Sequence, residues 1–303
     1  MMAPQLKKSG INIAEIRKPN EYKLYGLNSN PFREVSAEAI EGIYLLHVNQ
    51  KMDRELAGIV GELSEGGRAV VAFVGELGIG KTQRLRWLEE VAIKSGIFHI
   101  FLSVEHEYTL NIKRLFENGL KQINDKMGFM GRLRPPQYVK EIKKSLKQKK
   151  EPVELGILAS LMLKEKKPSY ILLDNIDCGD NNFMEFLTAL VNNLKAGSLL
   201  CFTCNKEIFK GIRETNPSFI ERINKLYMLD GLEDKEAELL VAKRLAVSRS
   251  VQNMDFLFPF TREFVYSLNS QVHGNPRALI KNMDDALSKA CNAGMPIIAK
   301  SFG

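Results

Sequence analysis

The stretch GELGIGKT, residues 75–82, has the residue types and spacing of a phosphate-binding loop, G-x-x-x-x-G-K-[ST]. Its glycines let the backbone wrap around a phosphate and direct N–H groups at the oxygens, and a helix that starts at the end of the loop adds partial positive charge. Lys81 would reach the β- and γ-phosphates of a nucleotide, and the Thr82 hydroxyl would bind Mg²⁺. We therefore predict a site for ATP or ADP in this phosphate loop. Its residues are Gly75, Glu76, Leu77, Gly78, Ile79, Gly80, Lys81 and Thr82.

A second candidate site residue is Asp174, which ends the apolar stretch YILLD at residues 170–174. A buried strand delivers a carboxylate to the edge of a sheet in this way, and carboxylate oxygens are ligands that Mg²⁺ prefers. We therefore predict that Asp174 belongs to the catalytic residues and binds Mg²⁺ together with Thr82.

The residue after Asp174 limits the chemistry of such a site. Asn175 can orient a water molecule but cannot take its proton at neutral pH. Fast ATP hydrolysis is therefore not expected unless another carboxylate reaches the γ-phosphate. The carboxylates considered for that role are Asp177, Glu76 and Glu105.

Three further polar residues are candidates for the catalytic site. Asn205 follows the apolar stretch SLLCFTC, and it either orients the attacking water or forms a turn. Arg277 either contacts the γ-phosphate or is an ordinary surface arginine. Arg222, in SFIERIN, either projects into the site of a neighbouring subunit or forms a surface ion pair.

The elements that must position these residues alternate along the chain up to about residue 230. Apolar stretches predict five strands, at residues 68–75, 98–104, 170–174, 198–204 and 225–229. Helical patterns separate the strands, which indicates a parallel sheet covered by helices on both faces. The predicted fold class is therefore α/β, with a five-stranded parallel sheet flanked by helices.

Only helical patterns follow Asp230. The last of them is the best marked, because Asn275 suits the N-cap, Pro276 the first helical position and Gly294 the stop. We therefore divide the chain into three parts. They are a flexible N-terminal arm (1–21), an α/β nucleotide-binding domain (22–230) and a small all-helical domain (231–303).

The net charge of +7 is concentrated between residues 132 and 150, in material inserted between the second and third strands. Lysines there recur at i, i+3, i+4 and i+7 on a helix predicted from about Gln137, so they share one face, opposite an apolar stripe of Val139, Ile142 and Leu146. Such a face suits contact with the phosphate backbone of DNA, although charge runs also occur on solvated helices. The predicted DNA-binding residues are Arg132, Arg134, Lys140, Lys143, Lys144 and Lys147.

Composition excludes several other classes of protein. No apolar run approaches 18 residues and the N-terminus has no apolar signal core, so we expect a cytoplasmic protein without a membrane span. Four cysteines are too few for a disulfide scaffold. The pair in CFTC, Cys201 and Cys204, lacks a second pair for zinc and is predicted to be two buried thiols.

The order of these motifs resembles that of the AAA+ ATPases, a class of P-loop NTPases. It comprises a Walker A loop, a Walker B aspartate, a polar residue after the fourth strand, an arginine before the fifth, and HGNPRAL in the helical domain. The stretches YGLNSNPF and PFTREFVYSLNSQVHGNPRALI are most similar to the branch of archaeal and eukaryotic replication initiators of the origin-recognition type. Secretion and transposition helper ATPases are near relatives of that branch. The resemblance spans about residues 22–292.

The resemblance implies an ATP- and Mg²⁺-dependent switch that assembles with AAA+ neighbours as a homo- or hetero-oligomer. It implies that the helical domain closes on ATP as a lid, and that the protein acts on DNA or on a DNA-bound partner. It also implies that adenine lies near Asn30, Pro31 and Phe32, and that the insert, here residues 105–152, touches DNA.

Two departures from the family pattern qualify this expectation. Initiators of this type carry a winged-helix domain after the lid, whereas this sequence stops at Gly303, so independent origin recognition is not expected. Asn175 stands where the family has a catalytic Glu. Three functions therefore stay open: a slow DNA-associated ATPase, a non-hydrolysing ATP-loaded adaptor that recruits a protein, and a secretion or membrane-assembly ATPase with its basic helix on lipid headgroups.

Overall fold

The computed structural model describes residues 21–33, 48, 50–126, 135–148, 150–164, 168–176, 181–249 and 255–299. Its strands are β1 (Ala69–Gly75), β2 (Phe98–Ser103), β3 (Ser169–Asp174), β4 (Ser198–Cys204) and β5 (Lys225–Leu229). Helices up to β5 are α1 (Gln50–Ser64), α2 (Lys81–Lys94), α3 (Tyr108–Lys126), α4 (Gln137–Ser145), α5 (Pro152–Lys164), α6 (Asn181–Asn192), α7 (Lys206–Thr215) and α8 (Pro217–Ile220). After β5 come α9 (Asp234–Ser248), α10 (Arg262–Gln271) and α11 (Pro276–Ala293). A short 3-10 helix, Glu21–Tyr25, precedes them all.

The five strands form one sheet in the order β2-β3-β4-β1-β5, and every pair of neighbours is parallel. The predicted five-stranded parallel sheet with flanking helices is therefore confirmed. Because the strands are parallel, their carboxyl ends meet at one edge of the sheet. That edge brings the end of β1, where the phosphate loop starts, close to the ends of β3 and β4.

Alternate residues of β1, β3 and β4 enter two separate cores, as the period of two requires. In β1, Val71 and Phe73 face α1 and α2, whereas Ala72 and Val74 face α3, α5 and α6. The two cysteines of CFTC divide in the same way. Cys201 lies in the core with α1 and α2, and Cys204 lies in the core with α3, α5 and α6. Burial raises the pKa of the Cys204 thiol to about 12, and it also raises that of Cys201. The prediction of two buried thiols is confirmed.

The helical domain has a core of its own, and the N-terminal segment 21–33 contributes to it. Tyr25, Leu27 and Phe32 are fully buried there among residues of α9, α10 and α11. The last helix begins and ends as predicted. The Asn275 side chain accepts a hydrogen bond from the Ala278 N–H, and Gly294 takes the left-handed conformation at the C-cap. The predicted domain limits stay a prediction, and the arm lies outside the described residues except for Glu21.

Two backbone segments touch where the helical domain joins the α/β domain. The Leu232 N–H donates to the Gly274 carbonyl, 2.8 Å away. Gly274 has φ +70°, and a Cβ there would lie 2.6 Å from the Leu232 nitrogen and 2.7 Å from the Gly231 Cα. A side chain at this position is therefore excluded both by the backbone conformation and by contact.

Gly274→Ala is expected to lower the free energy of unfolding by about 2–5 kcal/mol, the sum of about 1–2 for a left-handed alanine and about 1–3 for overpacking. Urea unfolding followed by circular dichroism measures the change. Gly294→Ala is the matched control, since Gly294 has φ +65° but no atom within 4 Å of its ideal Cβ. Equal losses from the two variants would contradict the importance of the Gly231–Gly274 contact.

None of the described helices is long and apolar enough to cross a membrane.

Candidate functional site

The phosphate loop has the predicted place in the fold, between the buried strand β1 and helix α2. Gly78 and Gly80 have φ of +83° and +97°, a region in which glycine has no steric penalty. Helix α2 begins at Lys81, so its amino end and its partial positive charge face the loop. Leu77 is highly exposed on the outer side of the loop, whereas Ile79 packs against the sheet.

The Lys81 ammonium is buried within the loop. Its Nζ donates to the carbonyls of Gly75 and Glu76 at 2.7 and 2.9 Å. Burial lowers the pKa of Lys81, and the nearby Arg277 guanidinium acts in the same direction, although the Asp174 and Glu76 carboxylates oppose the shift. An anion placed beside Lys81 would therefore relieve an electrostatic cost, as expected of a phosphate site.

Thr82 and Asp174 meet side by side, as the metal prediction requires. The Thr82 Oγ1 donates to Asp174, 2.9 Å from Oδ2 and 3.2 Å from Oδ1. One hydroxyl and one carboxylate next to a phosphate loop are the hard oxygen donors that suit Mg²⁺. The donor set therefore fits this metal ion, with Thr82 and Asp174 as the residues that would hold it.

A third residue of this group was missed from the sequence. Thr203, on β4, is fully buried, and its Oγ1 donates to Asp174 Oδ1 at 2.7 Å. The same oxygen accepts the Asn175 N–H, also at 2.7 Å. A polar residue inside the apolar stretch SLLCFTC, one position before its end, was the available signal.

Asn175 has φ +59°, in the left-handed region, and its side chain is exposed. Asn tolerates this conformation better than most residues because its short side chain can form a hydrogen bond with nearby backbone. Of the carboxylates considered as substitutes for the family's Glu, Glu105 is ion-paired with Arg114. Asp177 lies outside the described residues.

The stability of variants at Asn175 should depend on how well the new residue tolerates the left-handed backbone. Asn175→Gly is expected to keep or raise the free energy of unfolding, and Asn175→Glu to lower it by about 1 kcal/mol. At Lys121, an exposed residue in the interior of α3, the order should reverse, because a helix interior favours Glu over Gly. Urea midpoints of the four variants test this, and the same order at both positions would contradict the strain argument.

The helical domain contacts the phosphate loop through the start of α11. The Arg277 N–H donates to the Gly78 carbonyl at 3.3 Å, and the Asn275 Nδ2 donates to the Leu77 carbonyl at 2.8 Å. A Cβ on Gly78 would come within 2.8 Å of the Asn275 Oδ1. This contact brings Arg277 close enough to Lys81 to affect its pKa, and the role of Arg277 at the γ-phosphate stays a prediction.

The other two catalytic candidates lie at opposite edges of the sheet. Asn205 is exposed directly after β4, at the N-cap of α7, and its side chain makes no capping hydrogen bond. Arg222 is exposed shortly before β5, so it lies at the amino edge, away from the phosphate loop of its own chain. There it lines a small cavity with Arg68 and Glu221.

The segment predicted to lie near adenine is fixed to the helical domain. The Asn30 Nδ2 donates to Asp284 Oδ1 at 2.6 Å, and the Arg244 Nη1 donates to the Pro31 carbonyl at 3.1 Å. Phe32 packs edge-to-face on Phe260, with ring centroids 5.7 Å apart. The role of this segment in adenine binding stays a prediction.

The basic insert contains the predicted amphipathic helix, α4. Val139 and Ile142 are fully buried and Leu146 packs beside them. The opposite side, here named the basic face, is exposed and consists of Lys140, Lys143, Lys144 and Lys147. None of these four lysines forms an ion pair with a described residue, and Lys147 lies in the turn after the helix. Arg132 and Arg134 lie outside the described residues.

No family model and no curated protein sequence matches the chain. Among solved structures, it is similar to the Aeropyrum pernix ORC1 protein in complex with DNA, with a TM-score of 0.58 and 14% identity over 88% of this chain and 67% of that one. The CDC6P structure from Pyrobaculum aerophilum gives 0.56 and 12%, over 87% and 67%. The Aeropyrum pernix ORC2 protein in its ADPNP-ADP complexes gives 0.56 and 15%, over 83% and 65%.

The chain thus spans about two thirds of the length of these three proteins. At such low identity the likeness shows the fold. The resemblance drawn from the motifs is confirmed at that level: the chain has the P-loop AAA+ fold of the archaeal ORC and CDC6 structures, with helices at its carboxyl end.

Proposed function

We propose that the protein binds ATP with Mg²⁺ and uses the bound nucleotide as a switch on DNA or on a DNA-bound partner, with slow hydrolysis. The observation that carries the proposal is the meeting of Lys81, Thr82, Asp174 and Arg277 at one glycine-rich loop. Two domains contribute to this meeting, so occupancy of the loop can be communicated to the helical domain.

Each residue then has a role that its position supports. Lys81 leaves the carbonyls of Gly75 and Glu76 and binds the β- and γ-phosphates. The amino ends of α2 and α11 add partial positive charge, and Arg277 reaches the γ-phosphate. Thr82 and Asp174 hold Mg²⁺, which when bound neutralises charge on the phosphate oxygens. The segment from Asn30 to Phe32 is the proposed neighbour of adenine.

Slow turnover follows from the residues beside the γ-phosphate. Asn205 orients a water molecule, but Asn175 cannot take its proton. Arg222 faces away from the phosphate loop of its own chain, so its proposed role is in the site of an AAA+ neighbour within an oligomer.

The basic face is the proposed DNA contact. Its four lysines are exposed, three of them on one side of α4 and Lys147 in the turn that follows, which suits phosphates and carries no base readout. The ORC1 structure was solved in complex with DNA, which agrees with a DNA-associated role, and the ORC2 structure was solved in nucleotide complexes, which agrees with the proposed nucleotide binding.

A second candidate is an ATP-loaded adaptor that recruits a protein without hydrolysis. The left-handed Asn175 favours it, because the backbone there suits Asn better than the Glu of an active hydrolase.

ATP titration with Mg²⁺, followed by turnover measurements with and without duplex DNA, tests both functions. Binding with turnover above the Lys81→Ala background supports the slow switch. Binding with no turnover above that background supports the adaptor. Absence of ATP binding would contradict both.

A further inference from the structure

Thr203 joins two residues of the candidate metal site through one oxygen atom. Its Oγ1 donates its proton to Asp174 Oδ1 and accepts the Asn175 N–H, both at 2.7 Å. The side chain is fully buried, so water does not replace it. Both partners are on β3 or at its end, whereas Thr203 is on the neighbouring strand β4.

The carboxylate of Asp174 is held from two sides. Thr82 lies nearest to Oδ2, at 2.9 Å, and Thr203 is bonded to Oδ1. Asp174 is itself buried, so each oxygen depends on a donor from the protein. Without the Thr203 hydroxyl, Oδ1 would lose its shortest hydrogen bond and the carboxylate could turn about its own side chain.

The Asn175 backbone depends on the same hydroxyl. Its N–H lies at the turn after β3, in the left-handed conformation, and its bond to Thr203 fixes that turn. A residue without a hydroxyl at position 203 would leave this N–H and the carboxylate oxygen unsatisfied together.

We propose that Thr203 is a positioning residue for Mg²⁺ binding, which fixes Asp174 as a metal ligand and Asn175 in its turn. This inference rests on the proposed function, because it concerns the metal that accompanies ATP. Partners that orient metal ligands typically change metal affinity by about 10–100-fold when they are removed. Thr203 therefore sets how strongly Mg²⁺ tightens ATP binding.

The test measures the ATP dissociation constant in EDTA and in excess Mg²⁺, and takes the first value divided by the second as the metal dependence. Thr203→Val keeps the shape of the side chain and removes the hydroxyl. We expect it to reduce this ratio about tenfold and to leave the affinity in EDTA unchanged. Thr203→Ser restores the hydroxyl and is expected to restore the ratio, which a purely structural role would not require.

Ser198→Ala is the matched control. Ser198 lies at the other end of β4 and is buried, and its hydroxyl has no hydrogen-bond partner among the described residues. This variant is expected to keep the wild-type ratio. If Thr203→Val does not fold, as judged by circular dichroism, Thr203→Ala removes the hydroxyl without steric conflict and carries the same expectation.

The outcomes distinguish failure of the proposed ATP binding from failure of the positioning role of Thr203. A wild-type protein that binds no ATP in either buffer overturns the proposed function. A wild-type protein with a clear metal dependence that Thr203→Val and Thr203→Ala leave intact overturns the positioning role alone. A ratio that Thr203→Ser fails to restore overturns it as well.

Discussion

Alanine in place of Lys81 is expected to weaken ATP binding by about tenfold to a hundredfold, because a hydrogen bond to a charged group contributes about 1.5–3 kcal/mol. The ammonium is the buried cation of the phosphate loop, where it donates to the Gly75 and Glu76 carbonyls. Turnover, if any, should fall to background because the same ammonium binds the γ-phosphate in the proposed mechanism.

Equilibrium titration with a fluorescent ATP analogue measures this loss. Lys94→Ala is the control on the same helix, since Lys94 is an exposed residue of the last turn, paired with Glu90. The variant at position 81 should also keep its fold, because removal of the buried cation removes its desolvation cost together with its two hydrogen bonds. Unchanged ATP affinity in Lys81→Ala would show that the loop does not bind phosphates.

Charge reversal of the basic face should have the largest effect on DNA. The variant that changes Lys140, Lys143, Lys144 and Lys147 to Glu is expected to weaken duplex binding by more than about a hundredfold at low salt. Each lysine that contacts a phosphate releases counterions, so it contributes about −0.9 to the slope of log affinity against log salt concentration. The corresponding Gln variant should therefore flatten the slope.

Fluorescence anisotropy with a short duplex, repeated over a salt series, measures both quantities. The matched control reverses four exposed lysines elsewhere on the described surface, Lys210, Lys235, Lys281 and Lys289. It changes the net charge equally, so any difference between the variants reports position and not total charge. DNA binding that survives in the basic-face variant, or that persists at high salt, would rule out this contact.

The sheet could be predicted from the sequence because its signals are local. Runs such as AVVAFVG are apolar throughout, as a strand covered on both faces must be, and the phosphate loop fixes where β1 ends and α2 begins. The start and stop of α11 are likewise set by Asn275, Pro276 and Gly294 within their own turns. Each of these features depends on a few consecutive residues.

Features that depend on distant contacts could not be predicted. Thr203 became recognisable only when β4 was paired with β3, since its partners are 28 and 29 residues away in the chain. The burial of Phe32 in the helical domain depends on residues more than two hundred positions later, such as Phe260. The left-handed turn at Asn175 is also invisible to hydrophobic periodicity, which reports exposure and not backbone angle.

Hydrogen bonds of Gly274 and Arg277 anchor the start of α11. The helix can therefore act as a lever whose pivot lies close to Arg277. Gly274 is hydrogen-bonded to Leu232 and Arg277 to Gly78 through their backbones, and Gly274 and Arg277 are only three positions apart in the chain. The 18 residues of α11 extend about 27 Å from this point, at about 1.5 Å per residue. A rotation of about 10° would move Arg277 by less than about 1 Å but the far end of the helix by about 5 Å. Tyr25, whose hydroxyl donates to the Met295 carbonyl just beyond that end, would be carried along with it.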